Sequence, residues 1–394
     1  MSSYRKNDHS FDRINAKSAV VSLMGSPYRL ASNPFTPSYH INSRDPDCTL
    51  LHQAPFPYGI PNNTQPYNIL CTSLLRTDFS RNKSYFTDVN WFPDAQRFLS
   101  TSLTGEIVIW NSETLAIEDF KRLPASSGGL TCCEWLPDNS MALFGDMGGH
   151  IILTNDCLSP LGILMNEVQH PILCLTPSPT SLKICSASKH NFPCIFDLKT
   201  QSKERDLAAS GYEIICLQWH PSKGLIATGS KTNQLVFWDP RSAAAIKIVM
   251  AHNGSLTCLQ FNSEGTLLAT SGRDTLLRIW DMRTMNCLSV LRPTDQSDSF
   301  ITKLAWHPLY DSQILISGDA SGRLITNDLN SKFPKNALDN KLNFTQCCSL
   351  KIPMFHEQQI TGISFHPLAH LLCTTGFDGS IKIWGPTVEK YGNE

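Results

Sequence analysis

His252 and Asp274 stand 22 residues apart, and His356 and Asp378 repeat that separation. A histidine facing a carboxylate is the core of general acid–base and nucleophilic catalysis, because the carboxylate fixes the tautomer and stabilises the charge that forms. A hydroxyl would complete each set: Thr270 or Ser271 in the first, Thr374 or Thr375 in the second. A tryptophan follows each aspartate six residues later, at Trp280 and Trp384. The duplication decides between chemistry and structure. A catalytic centre is built once, whereas a buried polar group in need of partners recurs with every copy of the element that buries it. Both sets are therefore expected to be hydrogen-bonded locks, and no residue is assigned a catalytic role.

Three further histidines sit in one shared context: Trp219-His220-Pro221, Trp306-His307-Pro308 and Phe365-His366-Pro367. A turn that recurs in three copies is a repeat feature, not a metal cluster. The 14 cysteines occur singly or as the neighbours Cys132-Cys133 and Cys347-Cys348, with no C-x-x-C pair to hold zinc. Most lie in apolar runs such as Ile215-Cys216-Leu217, as small core residues of a reducing compartment do. No G-x-S-x-G, P-loop, H-E-x-x-H or paired-carboxylate arrangement stands out. The expectation is no enzyme, no metal and no cofactor.

The elements that position these residues are marked by tryptophans. Ile109-Trp110-Asn111, Phe237-Trp238-Asp239, Ile279-Trp280-Asp281 and Ile383-Trp384-Gly385 each close a short apolar run, and weakened copies fall at Thr154, Phe196 and Asn327. From Trp110 onward the steps are 44, 42, 42, 42, 47 and 57 residues. A period near 42, with four strands per copy and a terminal Trp-Asp, is the mark of a WD-repeat propeller. The expected fold is all-β: a seven-bladed WD-repeat β-propeller with an extended N-terminal arm. Each copy opens on a strand with a bulky residue (Trp91, Trp135, Trp219, Phe261, Trp306, Phe365) and ends in the tryptophan slot.

Residues 1–66 are different material, with eight prolines and little strand pattern. They are expected to form an extended arm, partly ordered against the propeller, instead of a separate domain. The propeller is expected over 67–384, with 67–75 a strand that completes the last blade so that no edge is left open. Residues 385–394 make a short tail. An insertion over about 330–354, carrying Lys332, Lys335, Lys341 and Lys351, is either a tolerated loop or a partner contact.

The net charge of −1 gives the molecule no long-range field for an acidic partner. Any contact with nucleic acid must be local or shared with another subunit. Arg5, Lys6, Arg13, Lys17 and Arg29 against Asp8 and Asp12 make the first thirty residues basic, as a binding arm or a solvated tail. There is no apolar signal core and no run near the roughly 18 apolar residues of a membrane span, so a soluble, intracellular protein without a membrane partner is expected.

A narrower resemblance is carried by Leu217-Gln218-Trp219-His220-Pro221-Ser222-Lys223-Gly224-Leu225-Ile226-Ala227-Thr228-Gly229-Ser230-Lys231 and Phe237-Trp238-Asp239-Pro240. Ser271-Gly272-Arg273-Asp274, Leu304-Ala305-Trp306-His307-Pro308 and Phe365-His366-Pro367-Leu368-Ala369-His370 add to it, as does the approach segment Pro57-Tyr58-Gly59-Ile60-Pro61-Asn62-Asn63. From about Leu51 to Trp384 the chain resembles the WD-repeat subunit of the cleavage and polyadenylation specificity factor. The resemblance implies a nuclear, non-catalytic scaffold and RNA-binding subunit. Its partners would be the large propeller subunit, the zinc-finger subunit and the 3′ end of pre-mRNA bearing an AAUAAA-type signal. It also implies site residues. Phe11 (followed by Asp12), Arg13 and Lys17 match the family's arm, although only those two cations of its basic run remain. Ile117 and Phe120, counted from Trp110, match its two hydrophobic contacts. An aromatic and an aliphatic face can hold an unstacked base while cations follow the phosphates. The alternative for Ile117 and Phe120 is that they pack the first inter-blade connection.

A second class fits two motifs. Trp238-Asp239-Pro240-Arg241 and Trp280-Asp281-Met282-Arg283 spell W-D-x-R, used by propellers that serve as substrate receptors of cullin-RING ubiquitin ligases to dock their adaptor. The motif also arises by repeat inheritance.

Overall fold

The computed structural model describes residues 73–385, apart from 81–83, 93, 113, 124–127, 138–139, 166–169, 190–191, 208–212, 293–298, 309–313, 330–348, 352–355 and 368–370. The arm over 1–66, with Phe11, Arg13 and Lys17, lies outside the described residues, as do 67–72, the tail after 385 and most of the insertion.

Among the described residues, twenty-eight strands form seven four-stranded sheets. The blades, numbered 1 to 7, open on Phe86–Trp91, Leu130–Trp135, Ile172–Pro177, Ile214–Trp219, Leu256–Phe261, Ile301–Trp306 and Ile360–Phe365. These opening strands touch one another in a closed ring, blade 7 against blade 1 included. Second and third strands are buried on both faces, as in Arg97–Ser102 and Gln234–Asp239. Neighbouring blades cover them, so they read as apolar runs instead of alternating ones. The fourth strands lie at the rim and do alternate, most clearly Ala244–Met250.

The seven tryptophan slots are equivalent in register. Trp110, Thr154, Phe196, Trp238, Trp280, Asn327 and Trp384 pair with Phe98, Ala142, Ile184, Ile226, Leu268, Leu315 and Leu372. Each tryptophan is buried, and its indole N–H donates to a hydroxyl on the second strand: Ser100, Thr228, Thr270 or Thr374, at 2.8–3.0 Å. The three eroded slots meet the same demand differently. Asn327 keeps a donor, its amide reaching Ser317 Oγ at 3.3 Å. Blade 2 has its bulk on the second strand, where buried Phe144, opposite Ile152, stands at the position that carries the hydroxyl in the tryptophan blades. Phe196 has volume but no donor, and the buried Ser186 hydroxyl has no hydrogen-bond partner.

The ring closes through Ser73–Phe79, the fourth strand of blade 7, paired antiparallel with Ser380–Gly385. This corrects the expected bounds of 67–75. Of that stretch 73–75 lies in the strand, 67–72 lies outside the described residues, and pairing runs on to Phe79 opposite Ser380. Arg76-Thr77-Asp78 reads as loop, yet an edge strand tolerates charge, and Arg76 Nε bonds Asp78 at 2.5 Å. Ser349–Lys351, inside the expected insertion, is the fourth strand of blade 6. The final strand includes Gly385, so the tail begins at 386.

Candidate functional site

Where the closing strand hands over to blade 1, a shallow depression open to solvent is lined by Phe79, Ser80, Phe86, Glu106, Ile117 and Phe120, with Trp110 among its lining residues. Its position follows from the closure. Phe79 ends the last strand of blade 7, and Ile117–Arg122 is the outer strand of blade 1. Phe79 is 67% exposed. Ile117 and Phe120 are half-buried and lean on the cluster of Val108 and Trp110. The pair packs against a cluster shared by blades 7 and 1 and also lines the open depression.

The cations of this rim are engaged. Arg122 donates to Thr104 O at 2.8 Å, Lys121 to Cys157 O, and Arg76 to Asp78. Glu118 and Asp119 are exposed beside them. The groove offers apolar faces, not a positive lining. Phe79 was missed in the sequence; the alternation Leu75, Thr77, Phe79 carries the signal, and a strand stopped at 75 hides it.

The histidine sets are assembled in their blades. His252 Nδ1 lies 2.9 Å from Asp274, its Nε2 3.0 Å from Thr270 Oγ1, and Trp280 donates to the same hydroxyl at 2.9 Å. His356 repeats this with Asp378 at 3.1 Å, Thr374 at 2.8 Å and Trp384 beyond. Of the alternatives, Thr270 and Thr374 are the hydroxyls used, while Ser271 and Thr375 bond Thr257 and Thr361. One assignment satisfies every donor: indole to threonine, threonine to Nε2, and Nδ1–H to carboxylate. Burial pushes the Asp274 carboxyl up, but bonds from His252 and the Asn253 N–H outweigh it and hold it below the usual range. Asp378 is held lower in the same way. With both imidazole nitrogens and the hydroxyl consumed inside the blade, the sets present no free nucleophile.

The shared turns also resolve. His220 accepts the Ser222 and Lys223 N–H groups at Nδ1, so Nε2–H donates to Gly265 O of blade 5 at 2.9 Å. His366 Nε2 donates to Ala95 O of blade 1 at 2.8 Å. Burial lowers both imidazoles to about 4, with the Lys223 cation assisting at His220.

One cluster was not anticipated. Lys303 of blade 6 lies 3.8 Å from Asp88 of blade 1, inside the ring of opening strands. The Asp88 charge raises the Lys303 ammonium above its ordinary value. Glu134 of blade 2 shares this site, pushed up to about 8 by burial and then by Asp88. Thr176 and Gln218 occupy the equivalent position in blades 3 and 4, and each accepts an N–H from the next blade, Trp219 or Phe261. The next blade offers Glu134 only Pro177, which has no N–H. Among the described residues no group of three or more His, Cys, Asp or Glu is arranged to hold a metal.

The WD domain, G-beta repeat family matches residues 203–239, 245–281 and 348–385. Each matched stretch ends one residue past a tryptophan slot of a four-stranded blade. The chain is a seven-bladed WD40-repeat propeller. This propeller is 33% identical over 99 residues to Polyadenylation factor subunit 2 of Candida albicans, an alignment covering 22% of this chain and 18% of that protein. The chain thus spans less than a fifth of the length of that curated relative. A chain of the Crystal Structure of Mitotic Checkpoint Complex superposes with a TM-score of 0.68 at 18% identity, over 84% of this chain and 97% of that one, a likeness of fold alone.

Proposed function

We propose that this propeller is a non-catalytic scaffold and RNA-binding subunit of a nuclear pre-mRNA cleavage and polyadenylation assembly. There it helps recognise an AAUAAA-type signal beside a large propeller subunit and a zinc-finger subunit. The observation that carries the reading is the groove of Phe79, Ile117 and Phe120, on a chain whose repeats resemble a polyadenylation factor subunit. An unstacked base would lie against Phe120 and Phe79, with Ile117 closing the inner side. Because the rim cations are engaged and the net charge is −1, phosphate contact falls to Arg13 and Lys17 of the arm, with Phe11 as a further stacking face, and to partner subunits. The rigid blades supply the platform, and their locks take no part in chemistry.

The test uses the assembled complex and a short RNA carrying the hexamer. Stacking is worth about 1–3 kcal/mol per base, so Phe120→Ala and Phe11→Ala should each weaken binding about tenfold while assembly is unchanged. Phe79→Ala should act in the same direction. Wild-type affinity in all three variants would remove this groove and arm from the RNA site.

A further inference from the structure

Blades 3, 4 and 5 present one turn in three copies. Asp197-Leu198-Lys199, Asp239-Pro240-Arg241 and Asp281-Met282-Arg283 each join the third strand to the fourth. In each, the aspartate accepts the N–H of the cationic residue, at 2.8, 2.9 and 2.9 Å. Each turn ends on a left-handed residue: Gln201, Ala243 and Met285, with φ of 50, 56 and 52°. The carboxylates are spent on the turn, Asp239 and Asp281 also taking the Ser242 and Thr284 hydroxyls. The cations face solvent. The Arg283 side chain is 84% exposed against 16% for Asp281, to which its Nε keeps a loose contact at 3.7 Å, and Lys199 and Arg241 are exposed as well.

The turns are also pinned. Arg205 on the outer strand of blade 3 donates to Arg241 O, and Lys247 on that of blade 4 donates to Met285 O at 2.8 Å. Long side chains normally lose affinity to the entropy of ordering; a pinned turn fixes where each cation starts. The sequence repeats the cation with the period of the blades, and blade 2 carries Cys157 at the same place.

The arc runs directly into an apolar edge. After Arg241 the outer strand Ala244–Met250 exposes Ile246, Ile248 and Met250 at 54–65%. It is the outermost strand of its sheet, so one row of its backbone groups is unpaired. Edge strands are normally guarded by charge, proline or brevity. The outer strand of blade 3 is guarded in this way, by Lys203, Glu204 and Arg205. Here the single charge, Lys247, is turned onto the next blade.

We infer that Lys199, Arg241 and Arg283, with the edge strand Ala244–Met250, form a docking surface for an extended acidic segment of a partner protein, which adds as a fifth strand to blade 4. Charge complementarity selects an acidic occupant. The exposed side chains are aliphatic, so they offer alternate apolar pockets for a strand instead of the aromatic faces on which bases stack. Antiparallel addition runs the guest from Met250 towards Ala244, which places its C-terminal end beside Arg241. This surface is separate from the blade 7–blade 1 groove and does not depend on the RNA reading.

The experiment is fluorescence anisotropy on the full chain with a labelled probe peptide of alternating valine and threonine ending in three glutamates. Controls are the same peptide ending in three lysines, one with the alternation scrambled, and a labelled oligouridine. Saturable binding of the acidic alternating peptide alone is expected. Lys199→Gln/Arg241→Gln/Arg283→Gln should weaken it at least about tenfold, since exposed ion pairs contribute modestly but add. Ile248→Lys should abolish it, with an unchanged melting curve for both variants. No binding, binding indifferent to either variant, or oligouridine binding lost with the same three cations would overturn the inference.

Discussion

His366 Nε2 donates to Ala95 O across 2.8 Å, and so ties the turn of the last blade to the turn of the first. The closing strand joins the same two ends of the chain from the rim. His220 makes the corresponding bond to Gly265 between blades 4 and 5. Both imidazoles stay neutral because burial holds them near 4 instead of the ordinary 6.5. The unfolded chain binds protons more readily in that window, so stability should fall as pH drops from 6.5 towards 4 and be unaffected by these groups above it. His366→Gln should flatten this part of a urea-denaturation profile against pH, removing about 2 kcal/mol of its change. A variant as acid-sensitive as the parent would discharge the strap from this role.

The contrast between Thr270 and Ser186 tests the lock. Thr270 accepts from Trp280 and bonds His252, whereas Ser186 occupies the matching position in blade 3, where Phe196 fills the tryptophan slot, and its hydroxyl has no partner. Thr270→Val strands the indole N–H and one imidazole nitrogen and should cost about 2–4 kcal/mol. Ser186→Ala removes a buried unsatisfied group and should be neutral or stabilising by about 1 kcal/mol. Equal losses at the two sites, by chemical denaturation, would mean the hydrogen bonds are not what the lock contributes.

In the six blades where the turn between second and third strands is described, one position has positive φ: glycine at 105, 149, 322 and 379, Asn233 in blade 4 and Thr275, with φ of 63°, in blade 5. A β-branched residue is poorly suited to this region. Thr275→Gly should raise the denaturation midpoint, by about 1 kcal/mol net of the entropy that glycine adds to the unfolded chain. A lower midpoint would show that the threonine side chain contributes more than its backbone strain costs.

Blade number, slot positions and lock members were legible because tryptophan needs both a large buried site and a hydroxyl for its N–H, which leaves a periodic trace. The closing strand was misplaced because Arg76-Thr77-Asp78 has edge-strand composition, which looks like loop. Lys303, Asp88 and Glu134 were invisible for a different reason. They occupy nearby or equivalent places in blades 6, 1 and 2 but differ in type, so no motif joins them, and only closure of the ring brings them together. Phe79 was lost with the strand that carries it.

Glu134 gives the opposite pH slope to the histidines. Its carboxyl is raised to about 8, so the folded chain holds the proton more tightly than the unfolded one, and stability should fall as pH rises from about 4.5 through 8. Glu134→Gln removes the charge while keeping the shape. It should gain about 1–2 kcal/mol at pH 9 and little at pH 5, the modest size reflecting partial access of water to the site. A gain equal at both pH values would point to packing instead of ionisation.

Membership of a polyadenylation assembly is measured by affinity purification of the tagged full chain with RNA crosslinking on the same sample. Co-purification of the large propeller and zinc-finger subunits is expected, with crosslinks at hexamers upstream of cleavage sites. Recovery of a ubiquitin-ligase adaptor or unrelated machinery, with no crosslinked RNA, would contradict membership and leave the seven-bladed scaffold alone.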